Sequence, residues 1–181
     1  MRSFYIICIC IFWFSYIYCR YSYDPSVLNY WGFRRENFIK SFAALLPFII
    51  ISNIVTFLYG KYYNTIMLSW HILPVLGLYP VWGVFQQYLM VDLIAGNLNK
   101  LAVHKLNKFW IILLTSLIFS FVHYPNLFLI IFTFSMEVVF MTVFMKWRNL
   151  WALGLAHGWI ASFLLYYVLG RDLWSELFVW F

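Results

Sequence analysis

Five stretches of this 181-residue chain carry no formal charge: residues 3–19, 41–60, 62–91, 109–136 and 149–170. A bilayer crossing needs about 20 predominantly apolar residues. Within hydrocarbon every backbone group must be satisfied internally, so an apolar run of that length is read as a helix. The runs therefore predict an all-α fold, a polytopic membrane helix bundle with six to seven transmembrane helices. Composition agrees: 65% of residues are hydrophobic and 10% charged, against about 25% charged in soluble domains. An ordinary soluble enzyme and a disordered tail are both excluded.

Two runs need dividing. The apolar segment beginning at Phe109 continues past Glu137 to Met145 and is too long for one crossing. Tyr124, Pro125 and Asn126 interrupt it with turn chemistry, which predicts helices over 109–124 and 127–145. Pro74, Gly77 and Pro80 punctuate run 62–91. There the expectation is a short, broken, re-entrant element over 66–79, followed by a full helix from Pro80 to about Leu98. Lys and Arg counts favour that choice. With the piece re-entrant, nine basic residues share one side: Arg20, Arg34, Arg35, Lys40, Lys100, Lys105, Lys108, Lys146 and Arg148. The other side keeps Arg2, Lys61 and Arg171. With the piece spanning, the split is seven against five. The first arrangement places the N-terminus outside.

Residues 1–65 read as an N-terminal anchor and a second transmembrane helix, and 66–181 as the core. Phe4 to Cys19 ends without the small residues of a cleavage site, so it is expected to remain as an anchor. Cys8, Cys10 and Cys19 form no zinc or disulfide pattern and read as small apolar residues of that span. Trp174, Leu177, Phe178 and Phe181 recur at helical spacing, predicting a short interfacial helix. The net charge of +6 is scattered over short loops, which fits anionic lipid headgroups as partners rather than nucleic acid.

Function should lie with the polar residues at membrane depth, because these are costly there. They are Gln86 and Gln87 with Asp92, His123, Glu137 and His157. His71, in the broken segment, and His104, in a Lys-rich loop, are weaker candidates. At about 1.5 Å per residue from the basic side, His157 lies about 10 Å deep, Glu137 about 12, Gln87 about 16 and His123 about 21. Glu137 and His157 are nearly level. A carboxyl beside an imidazole is the composition of a general acid–base pair. Of the six acidic residues, Asp24, Glu36, Asp172 and Glu176 fall in loops or at the interface. Asp92 lies near a helix end, within reach of water or Lys100.

Phe119, Ser120, Phe121, Val122 and His123 resemble the FxxxH motif of the CPBP family, the CAAX-protease and bacteriocin-processing intramembrane endopeptidases. Leu150 through His157 resembles that family's later motif, a helix carrying a His with Asn four residues on. The resemblance covers residues 75 to 170 and implies a four-helix core. It also implies an integral protein of the cytoplasmic (inner) membrane of a bacterium. In the family an EExxxR motif supplies a glutamate that activates water, aided by the FxxxH histidine, while the later His and Asn stabilise the oxyanion. Here the matching positions read Gln86 and Gln87, with Val91 in place of Arg, and Ala161 in place of Asn. Gln copies the shape of Glu but cannot accept the proton.

Glu137, on the helix between the two histidine helices, is a candidate replacement. The implied function is an intramembrane endopeptidase that cleaves a membrane-associated or lipidated peptide. Glu137 with His123 or His157 would activate water, and Gln86 and Gln87 would bind the scissile carbonyl or hold the water. No cofactor is required by this reading. A divalent metal on His123, His157 and Glu137, a two-histidine-one-carboxylate set, is a variant of it. The alternative is a catalytically inactive relative that binds a hydrophobic peptide or protein partner in the membrane. Haem or quinone redox is disfavoured by the depth difference between the two histidines.

Overall fold

The computed structural model describes residues 2–101 and 106–178 and is helical through most of the charge-free runs. Helix α1 spans Arg2–Tyr23, and a single turn, α2, spans Val27–Tyr30. Helix α3 (Phe38–Tyr63) is closed by Asn64 in the left-handed conformation (φ 54°), with the Thr65 amide returning to the Gly60 carbonyl at 2.9 Å. Asn is one of the few residues that adopt that geometry readily. Helix α4 (Ile72–Gln87) runs on through a π-helical stretch, Tyr88–Ala95, into α5 (Gly96–Leu101). Helices α6 (Lys108–Phe121) and α7 (Leu127–Trp147) flank the turn at Pro125. The Asn126 side chain caps α7 by accepting from the Leu129 amide at 3.1 Å. Helix α8 (Leu150–Phe163) continues as a π stretch, Leu164–Val168, and α9 (Leu173–Phe178) follows.

Among the described residues, three helical segments are long and apolar enough to cross a membrane: Phe38–Tyr63, Leu127–Trp147 and Leu150–Val168. Lys108–Phe121 is apolar but shorter. Ile50, Ile51, Ile54, Phe57 and Leu58 of α3 are exposed on the outside of the bundle, as are Val81, Phe121 and Ile131. Apolar exposure on this scale is a lipid-facing surface.

The proline-rich stretch corrects one expectation. Residues 72–79 are not a separate broken element; they open α4, which starts at Ile72 rather than Pro80. Pro74 falls in the first turn, where a missing N–H costs nothing. Pro80 lies within the helix, packed against Gly158 of α8, so its interrupted hydrogen bonding is covered by protein. Only residues 65–71 remain outside helix, and they cross the end of α8 rather than the membrane. There the Met67 amide donates to the Tyr166 carbonyl at 2.8 Å and Thr65 Oγ1 to the Tyr167 carbonyl at 2.6 Å. These carbonyls belong to the last turn of the helical segment, where no intrahelical donor remains, and the returning chain takes them up.

With no crossing between α3 and α4, the helices alternate in direction. The 24–37 segment meets the α7–α8 junction at one end: Arg34 Nε donates to the Arg148 carbonyl at 2.8 Å, and the Leu150 amide to the Gly32 carbonyl at 2.9 Å. Among the described side chains that end holds Arg20, Arg34, Arg35, Lys40, Lys108, Lys146 and Arg148, against Lys61 and Arg171 at the other. This is the basic end below. His104, Lys105 and Phe181 lie outside the described residues.

Candidate active site

The site is built where α4 and α8 approach most closely. Gly83 of α4 faces Gly154 and Gly158 of α8, and a Cβ on Gly83 would stand 2.4 Å from the Gly154 carbonyl oxygen. A Cβ on Gly158 would stand 2.4 Å from Pro80 Cα. Small residues four apart let two membrane helices meet backbone to backbone. That contact carries Gln87, the last residue of α4, beside His157, which precedes Gly158 on α8. Helix α7 brings Glu137 to the same point.

Gln87 Nε2 donates to Glu137 Oε2 at 2.9 Å and lies 3.1 Å from His157 Nδ1. Both amide hydrogens are thereby used, so Nδ1 of His157 accepts and the ring proton sits on Nε2. Gln87 and Glu137 are completely buried and His157 is 4% exposed. Phe119 and Phe140 pack edge-on against the imidazole, with ring centroids 5.8 and 6.4 Å away. Two acceptors are left over: Gln87 Oε1 and Glu137 Oε1 are buried with no hydrogen-bond partner among the described residues. Buried polar atoms in that state are few in folded proteins, and a catalytic role or a bound water is among the explanations for them. The π stretch begins at the next residue, Tyr88; π turns within α-helices are frequent at functional sites.

The structure joins three of the five residues singled out in the sequence. His123 is not hydrogen-bonded to the cluster among the described residues; it packs edge-on against the same Phe119 ring as His157, with centroids 5.5 Å apart. Its Nδ1 lies 3.2 Å from the Phe119 carbonyl and 3.4 Å from Thr133 Oγ1. Gln86 is half-buried and outside the cluster. The two-histidine-one-carboxylate metal set does not form, since no three His, Cys, Asp or Glu side chains converge on a metal position among the described residues.

A second polar cluster was missed by sequence reasoning. Asp172, read there as an interfacial acid, is only 8% exposed. Its carboxylate accepts from His71 Nδ1 at 2.5 Å, Tyr166 Oη at 2.9 Å, Ser175 Oγ at 2.9 Å and Ser69 Oγ at 3.3 Å. These bonds tie residues 69–71 and α9 to the end of α8. His71 thus serves Asp172 rather than freed backbone. The partners are about a hundred residues apart, and no local signal links them. Asp92 is likewise buried (6% exposed) and faces Arg148, Nη2 to Oδ1 4.0 Å.

A family model described as Type II CAAX prenyl endopeptidase Rce1-like matches residues 68–163. That interval contains Gln87, Glu137 and His157 and covers more than half of the chain. No curated protein and no solved structure matches significantly. By that match the chain belongs to the Rce1-like family of type II CAAX prenyl endopeptidases.

Proposed function

We propose that the chain is an intramembrane endopeptidase for a membrane-associated or lipidated peptide, in which Glu137 is the water-activating base. The supporting observation is the hydrogen bond from Gln87 to Glu137 at 2.9 Å. It holds a carboxylate one hydrogen bond from the position where the CPBP resemblance expects a glutamate. The acid is moved to the neighbouring helix rather than lost.

The leftover acceptors suggest how water is held. A water entering with substrate would donate one hydrogen to Glu137 Oε1 and one to Gln87 Oε1, keeping its lone pairs for the scissile carbonyl. Glu137 then takes a proton as the C–O bond forms and returns it to the departing amine as the C–N bond breaks. His157, held by Gln87 with its proton on Nε2, is suited to donate that hydrogen to the oxyanion. Gln87 orients both partners at once. No step uses a metal, and the donors present do not fit one.

The location we assign is the cytoplasmic membrane of a bacterium, with the basic end facing the cytoplasm. A second reading, a non-catalytic relative that binds a hydrophobic segment, is favoured by one feature. An apolar groove of about 620 Å³ runs between α1, α4 and α8, lined by Phe14, Phe33, Pro80, Phe85, Trp151 and Leu155 among others.

One experiment separates the two. Purified protein in liposomes is offered a farnesylated peptide ending in a CAAX sequence, and cleavage is followed by mass spectrometry. Glu137→Gln, present at the same level, is expected to cleave about 10²–10⁴-fold more slowly. Full activity in Glu137→Gln would sink the proposal, and binding without cleavage by the wild type would favour the second reading.

A further inference from the structure

At the basic end, one turn beyond Gln87 and Glu137 on their own helices, lies a cavity of about 190 Å³. Val91, Ile111, Met141 and Phe144 form its apolar wall, and its charged groups are Asp92, Lys108 and Arg148. Arg148 is held firmly. It caps α7 in the left-handed conformation (φ 45°), its amide donates to the Phe144 carbonyl at 2.7 Å, and its carbonyl accepts from Arg34. Its Nη2 donates to the Tyr30 carbonyl at 2.6 Å, and the guanidinium lies over the Tyr30 ring, 4.8 Å from its centroid. Nε and Nη1 make no hydrogen bond among the described residues. Lys108, exposed at the start of α6, makes no side-chain hydrogen bond or ion pair among the described residues.

Among the described residues the lining thus sets two cations against one buried carboxylate, a surplus of one positive charge, around an opening at the helix ends. A phosphodiester carries one negative charge, and guanidinium and ammonium groups are its strongest hydrogen-bond donors. We propose that this cavity binds the headgroup of an anionic phospholipid. The phosphate sits between Lys108 and Arg148, Asp92 orients the guanidinium, and Met141 and Phe144 cover the first methylenes of an acyl chain. Because Arg148 is fixed beforehand, little ordering is needed on binding. The site is independent of the peptidase reading, since it uses none of Gln87, Glu137 or His157.

The test is thermal unfolding of the full chain in a neutral detergent, titrated with dihexanoylphosphatidylglycerol. Dihexanoylphosphatidylcholine, sodium phosphate and a peptide with a free C-terminal carboxylate serve as the other arms. Phosphatidylglycerol is expected to raise Tm in a saturable way, and the choline lipid is not. Lys108→Glu should weaken that binding about tenfold or more, and Lys108→Gln should do so less. Lys108 is exposed in the first turn of α6, so both variants should remain folded. The proposal is overturned if the choline lipid matches phosphatidylglycerol, or if Lys108→Glu binds as tightly as the wild type. It is equally overturned if inorganic phosphate or the peptide carboxylate binds there more tightly than the lipid.

Discussion

Two carboxylate–histidine clusters lie at opposite depths of this bundle, and they are built in opposite ways. At the end of α8, Asp172 is surrounded by donors: His71, Tyr166, Ser69 and Ser175 all bond to it. In the middle, Glu137 receives one hydrogen bond, from Gln87, and keeps a buried oxygen without a partner among the described residues. A saturated carboxylate has no capacity left for a substrate; its bonds join loop to helix. An unsaturated one, in a setting where a charge costs a few kcal/mol, holds that capacity in reserve. On this contrast we propose chemistry for the middle cluster and architecture for the end one, although each contains a carboxylate and a histidine.

The largest effect expected of this contrast comes from exchanging the acid and the amide. Gln87→Glu combined with Glu137→Gln keeps one carboxylate and one amide in hydrogen-bonding contact and moves the base to α4. If the base is needed at the cluster rather than on one helix, the double variant should regain most of the 10²–10⁴-fold cleavage lost in Glu137→Gln, to within about tenfold of wild type. Peptide hydrolysis in liposomes measures it. A double variant as inactive as the single one would break the idea that Glu137 stands in for a carboxylate at position 87.

The end cluster should respond in stability, not chemistry. Asp172→Asn leaves several buried donors poorly matched and should cost about 3 kcal/mol in unfolding by detergent titration, with cleavage per folded molecule unchanged. Burial alone would raise the Asp172 carboxyl. The hydrogen bonds from His71, Ser175 and Tyr166 outweigh it and hold that carboxyl well below the usual carboxylate range. A depressed acid contributes its stability in full above the unfolded value of about pH 4 and loses it as pH falls toward the folded one. A stability change between pH 7 and pH 5 therefore has another origin. Asp172→Asn that folds normally but cannot cleave would collapse the distinction between the clusters.

How much of this was legible in the sequence follows the same division. Charge-free runs and the turn at Pro125 located α3, α6, α7 and α8 to within a few residues, because backbone satisfaction in lipid leaves a single local solution. Depth counting put Glu137 and His157 nearly level, and they meet through Gln87, because helical rise is uniform. The counting failed where helix geometry is irregular. The 65–71 segment is placed by hydrogen bonds between distant residues, such as Met67 to Tyr166, and neither π stretch has a sequence pattern that sets it apart from α-helix. Nor does a one-dimensional pattern tell that His123 Nδ1 lies against the Phe119 carbonyl of its own helix rather than against Glu137. Asp172 reads in the sequence as an acid of a loop or the interface, yet a loop about a hundred residues earlier covers it.

The smallest of the predicted effects bears on what holds the middle cluster together. Gly158 lies beside His157, and a methyl group there would stand 2.4 Å from both Cα and N of Pro80 and 2.8 Å from the Tyr79 carbonyl carbon. These are backbone atoms, so a side-chain rotation cannot relieve the contact; α4 and α8 must separate. Gly158→Ala should therefore cost about 2 kcal/mol of stability, within the range for overpacked positions. The same displacement widens the 3.1 Å contact between Gln87 and His157 but leaves Gln87 and Glu137 free to move together. Cleavage should then fall more than stability alone explains, measured as rate per folded molecule, while Asp172→Asn shows the reverse. If Gly158→Ala loses stability yet cleaves at the full rate per folded molecule, close approach of α4 and α8 serves folding only, and His157 is not held in place for catalysis by that contact.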